Sequence, residues 1–112
     1  MITDLSYLES MAGGDKTFIR EMIDIFREQI EEYSQLMPEL LKKSKYADLS
    51  KLAHKAKSSV SVMGMIQEAN MLKELELLAK DEKDIDSYPG YIERFITNSK
   101  EALKELEATY KT

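Results

Sequence analysis

Apolar residues recur at steps of three and four along almost the whole chain, and the interruptions of that rhythm divide it into helices. Leu5, Leu8 and Met11 mark a short first helix from Leu5 to about Met11, with Asp4 placed to cap it. Gly13-Gly14 breaks it, and Asp15 suits the cap of a long second helix. There Phe18, Ile19, Met22, Ile25, Phe26, Ile30, Tyr33, Met37, Leu40 and Leu41 supply the apolar stripe. Pro38 falls inside this run and is expected to kink or divide it. Lys42-Lys43-Ser44-Lys45 reads as a solvated C-terminus, where cations suit the helix dipole, or else as a docking surface for an acidic partner. A third helix is expected from near Tyr46 to Gly64, and a return helix from about Ile66 to Lys80. After a polar loop over 81–87, Ser87 or Tyr88 caps a last helix with Pro89 in its first turn. Its stripe is Ile92, Phe95, Ile96, Ser99, Leu103, Leu106 and Tyr110. The charged stretch from Lys100 onward is expected to stand beyond the core. No strand pattern and no internal repeat are present. Four major helices and one short one predict an all-α chain: an antiparallel four-helix bundle with a short extra N-terminal helix, as a single domain over residues 1–112.

Composition narrows the function classes. With 112 residues the chain can bury one core, and four glycines and two prolines among abundant Leu, Glu, Lys and Ala agree with helix. There is no cysteine, and the one histidine makes a His-rich metal site implausible; no metal and no cofactor is expected. A net charge of −5 disfavours nucleic acid, which requires a basic footprint. No apolar run approaches the roughly 18 residues of a membrane span, and Met1-Ile2-Thr3-Asp4 lacks the features of a signal peptide. The expectation is a cytoplasmic monomer without direct membrane contact.

The candidate chemistry lies in the third helix. At about 100° per residue, Leu49, Leu52, Ala53, Ala56, Val60 and Met63 share a sector of about 100°, and His54 points about 140° from its centre. Around it on the outer face fall Ser50, Lys57, Ser58 and Ser61, small except for the lysine. A group that titrates near neutrality is thus displayed on a low surface with a cation one turn away. A lone histidine on a charged helix is often only solvated, but the return helix adds a second observation. If the chain turns at Gly64-Met65, residues at equal distances from Met65 stand level, because both helices rise about 1.5 Å per residue. His54 and Glu76 are such a pair. Glu76 sits about 40° from the middle of the stripe formed by Met65, Ala69, Leu72, Leu75 and Ala79, so its carboxylate is aimed at the neighbouring helix. A half-buried carboxylate calls for a donor, and a ring N–H of His54 is in place to serve.

The run Ala53-His54-Lys55-Ala56-Lys57-Ser58-Ser59, followed by Met63-Gly64, resembles the signature of histidine-containing phosphotransfer (HPt) domains of two-component phosphorelays. The shared features are a histidine, a lysine three residues on, small residues next, and a glycine ten after the histidine. The resemblance implies His54 as phosphoacceptor, Lys57 as the cation beside the phosphoryl group, Gly64 as the helix-ending glycine, and Glu76 as the group orienting the imidazole. Where the family commonly has glycine after the lysine, this chain has Ser58, also small. The implied partners are response-regulator receiver domains and hybrid sensor histidine kinases, with Mg²⁺ arriving on the receiver, since no carboxylate cluster here would hold it. No glycine-rich loop for ATP is present, so the resemblance implies a phosphotransfer protein rather than a kinase.

Ser50, Ser58, Ser61 and Met11 are the expected partner-contacting residues. Met11, Met63 and Met65 suit either an adaptable rim near the histidine or ordinary core filling. Two other functions fit a helical hairpin. One is a kinase dimerisation segment, which usually carries an acidic residue after the histidine and a proline shortly beyond; this chain has Lys55 there and no such proline. The other is an adaptor bundle in which His54 is incidental.

Overall fold

Ile19, Ile23, Phe26, Ile30, Tyr33 and Met37 follow one another at alternating steps of four and three, and all six are buried. That spacing keeps an apolar stripe on one side of a helix over its full length. The computed structural model describes residues 2–110. Its helices are α1 (Ser6–Ala12), α2 (Lys16–Lys42), α3 (Tyr46–Val62), α4 (Ile66–Lys80) and α5 (Tyr88–Tyr110), with a 3₁₀ turn at Ile85–Ser87. No strand occurs among the described residues. α3 packs most extensively on α4, α2 lies against α3 and α5, and α4 against α5 closes the ring. Arg20 and Arg27 of α2 meet Tyr110 and Glu107 of α5, while Glu68 and Glu74 of α4 meet Asn98 and Tyr91 of α5. In each set one number rises as the other falls, so the neighbours are antiparallel. The molecule is a four-helix bundle with α1 laid against α2.

Asp15 caps α2 as its sequence position suggests, accepting from the N–H groups of Thr17 and Phe18 at 2.9 and 3.2 Å. Asp4 performs the same service one residue outside α1, accepting from Ser6 N–H at 3.0 Å. Lys43, at the end of α2, pairs with Glu39 one turn back.

Other expectations need correction. Pro38 does not divide α2, which continues to Lys42. Its ring faces solvent, while buried Met37 and half-buried Leu40 and Leu41 hold the last turn on the core. Ile23, not Ile25, carries the stripe: Ile23 is fully buried and Ile25 is 47% exposed. The far end of α5 is not left standing beyond the core. Ala102 and Leu106 are buried together with Leu8, because α1 and the residues before it fold over that end. The Glu105 carboxylate accepts from the N–H groups of Ile2 and Thr3 at 3.0–3.4 Å, Tyr110 O–H donates to Glu9, and Asp4 N–H donates to the Met63 carbonyl at 3.1 Å. Met63 and Met65 are core residues at that same end, whereas Met11 is 58% exposed.

Candidate functional site around His54

The site begins with the turn that makes α3 and α4 a hairpin. Met65 N–H reaches back to the Val60 carbonyl and Gly64 N–H to that of Ser61, both at 3.0 Å. This is the paired hydrogen-bond pattern that ends a helix on a left-handed residue, here Gly64 at φ +70. Glycine is required twice over. The positive φ disfavours any side chain, and a Cβ at this position would overlap the backbone carbonyl of Asp4. Residues 2–5 therefore strap the turn down, and the turn fixes how α4 runs back along α3.

Leu49, Leu52, Ala53, Ala56 and Val60 are buried along α3. His54 points away from them, with its side chain 59% exposed. Glu76 of α4 is only 17% exposed, and its Oε1 lies 3.1 Å from His54 Nδ1. An ionised carboxylate can only accept, so the contact is a hydrogen bond when Nδ1 carries a proton. In a neutral ring that leaves Nε2 unprotonated and outermost.

Lys57 is half-buried one turn beyond His54, and Ser58 and Ser61 are exposed. Ser61 O–H donates back to the Lys57 carbonyl at 2.7 Å, which keeps that hydroxyl low on the helix surface. Ser50 requires a correction. It is not on the open face but 8% exposed, with its hydroxyl donating to the backbone carbonyl of Glu76 at 2.7 Å. α4 approaches α3 from the side on which Ser50 stands, and a single helix cannot show from which side its neighbour comes. Met11 is exposed on α1.

The register of the hairpin also places lysines that helix-by-helix reading passed over. Counting from the His54–Glu76 pair at about 1.5 Å per residue sets Lys57 level with Lys73, and Lys51 level with Ala79, next to Lys80. Lys51, Lys73 and Lys80 are exposed. On a chain of net charge −5, the hairpin thus carries cations on both sides of the imidazole. Among the described residues no group of three or more His, Cys, Asp or Glu is arranged to hold a metal ion, and no helix is long and apolar enough to cross a membrane.

Fold and site together define an all-α module that presents a single imidazole, tethered through one ring nitrogen and open at the other. A family model, the Hpt domain, matches residues 21–109, so the chain belongs to the Hpt family, whose members are phosphotransfer modules of two-component signalling that work with receiver domains and kinases. No curated protein and no solved structure matches the chain.

Proposed function

We propose that the bundle acts as one unit in a phosphorelay, accepting a phosphoryl group on His54 from the aspartyl phosphate of a receiver domain and passing it to another receiver. The observation that carries this is the 3.1 Å contact from Glu76 to Nδ1 of a ring that is otherwise exposed. It supports Nε2 as the attacking atom. The Nε2 lone pair attacks phosphorus in line, the N–P bond forms, and the P–O bond to the aspartyl carbonyl carbon's oxygen breaks to release the receiver's carboxylate. Nδ1 keeps its proton, so the phosphorylated ring is cationic and Glu76 stabilises it. In the return step the N–P bond breaks toward another receiver's carboxylate.

Charge is spread over the phosphoryl oxygens in a loose transition state, so positioned cations provide much of the catalysis. Lys57 is the cation assigned to that role. Lys51, Lys73 and Lys80 make the approach favourable for the acidic active-site face of a receiver. Exposed Ser58 and Ser61 keep the helix surface low for it. No part of this role calls on ATP, in keeping with a transfer protein rather than a kinase.

The test is to incubate the purified chain with a phosphorylated receiver. Label that is acid-labile, alkali-stable and absent from a His54→Gln protein is expected, on a chain that elutes as a monomer. Stable folding of His54→Gln is also expected, since the ring lies outside the core. An unlabelled wild-type chain would leave the adaptor function, and a dimer would favour the kinase dimerisation segment.

A further inference from the structure

Ser50 has a connection that the transfer chemistry leaves unused. It stands four residues before His54, one turn earlier on α3, and so on nearly the same side of the helix. Its hydroxyl and the His54 ring both bind Glu76: Ser50 takes the backbone carbonyl at 2.7 Å, and His54 Nδ1 takes the carboxylate at 3.1 Å. One residue of α4 is therefore held at two points by α3, through its main chain and through its side chain.

From this geometry we propose that Ser50 is a positioning residue for His54, acting through Glu76. A glutamate side chain has three rotatable bonds, and its carboxylate alone does not determine where its helix lies. The Ser50 bond does, because it is made to the α4 backbone. Rotation of α4 about its axis, or sliding along α3, breaks it. With the Glu76 main chain pinned, the origin of its side chain is fixed relative to α3, and from there the carboxylate meets Nδ1. Ser50 itself is buried and the bond is partly shielded from water, which favours its persistence. A carbonyl oxygen has two acceptor sites, so Ser50 can bind without displacing a helical N–H. The proposal concerns the ring's orientation. Its consequence for transfer rests on the phosphorelay function proposed above.

The ring nitrogens report the effect without any phosphorylation. The chain has one histidine, so the imidazole ¹⁵N signals of the neutral ring need no assignment and show which nitrogen bears the proton. Wild type is expected to be mainly protonated at Nδ1, Glu76→Ala to move strongly toward Nε2–H, and Ser50→Ala to move part of the way. Ser50→Thr, which retains a hydroxyl, should stay near wild type and serves as the second variant. In the Glu76→Ala background, Ser50→Ala should add nothing. Where wild type accepts label, Ser50→Ala should slow transfer by about tenfold, in line with the cost of a small misplacement at a reacting group. An unchanged proton distribution in folded Ser50→Ala overturns the proposal, as does an equal shift in the presence and absence of Glu76. Absence of label on wild type would instead sink the transfer function and leave the nitrogen signals to decide the role of Ser50.

Discussion

The turn joining α3 to α4 and the turn joining α4 to α5 are closed by the same two kinds of hydrogen bond, yet they are held in place differently. At the first, Met65 and Gly64 bond back to Val60 and Ser61; at the second, Lys83 and Glu82 bond back to Leu78 and Ala79. The left-handed residue is glycine in one and glutamate, at φ +52, in the other. The Gly64 turn is clamped from outside by the backbone of Asp4. The Glu82 turn is open to solvent, and its support comes from Tyr88, a buried side chain whose hydroxyl lies 2.7 and 2.6 Å from the carbonyls of Leu78 and Lys83. The α2–α3 turn resembles the second, with Ser44 at φ +56 and the same pattern of bonds. A close approach of backbone to backbone leaves no room for a Cβ, whereas a solvent-facing turn can carry one at the cost of some strain. The clamped turn is also the one that sets His54 against Glu76.

Gly64→Ala should break this contrast most severely. It places a Cβ in the left-handed region and against the Asp4 carbonyl, so a loss of about 3 kcal/mol is expected, with strain supplying about 1–2 of it. Chemical denaturation would measure the loss. Slower phosphoryl transfer should accompany it, because the hairpin register is disturbed; a variant as stable as wild type would show that the strap yields freely.

Glu105→Ala attacks the strap from its other end. The carboxylate collects the N–H groups of Ile2 and Thr3 and the Thr3 hydroxyl, and its removal should cost about 2 kcal/mol, as for hydrogen bonds to a charged group. Combined with Gly64→Ala, the loss should be less than the sum, because both changes release the same segment. Full additivity in a double-mutant cycle would separate the strap from the turn.

At the open turn, Tyr88→Phe should cost about 1 kcal/mol, the usual size of one net hydrogen bond. A pH series sharpens the point. Burial, foremost, and then Tyr46 and the acidic loop residues Asp84, Glu82 and Asp81 raise the Tyr88 pKa above that of an ordinary tyrosine. A raised folded-state value means that the stability it contributes is complete below about pH 10, the unfolded-state value, and falls as pH climbs through the folded one. Tyr91, raised by its bond to Glu74 and by burial, and Tyr110, raised by burial and Glu9, act in the same direction. Thermal melts of Tyr88→Phe should therefore show a shallower alkaline decline than wild type, but not none.

The smallest effects carry the opposite sign. Ser44→Gly and Glu82→Gly remove left-handed strain at exposed positions and should each stabilise by about 0.5–1 kcal/mol, after the greater entropy of the unfolded glycine is set against the gain. Transfer by both should match wild type, since neither turn borders His54. Destabilisation by either would mean that the side chain makes a contact worth more than the strain.

Local pattern was enough for the helices, their order, the outward face of His54 and the level of Glu76. Those follow from local periodicity, from a glycine whose place in the chain ends a helix, and from a fixed rise per residue, none of which needs a neighbour. The apolar residues of α2 were too numerous to choose among. Ile23 and Ile25 both fit a step of three or four from some partner, and only packing against the other helices buries one and exposes the other. Pro38 carries a local penalty, but Met37, Leu40 and Leu41 hold its flanks on a core that no local rule describes. Ser50 points about 40° from His54 around the same helix, and its burial depends on the side from which α4 arrives. The burial of Ala102 and Leu106 likewise depends on residues 2–12, almost a whole chain length away. Direction around a helix is encoded locally; what stands in that direction is decided by chain segments distant in sequence, because burial and hydrogen bonding are properties of the pair.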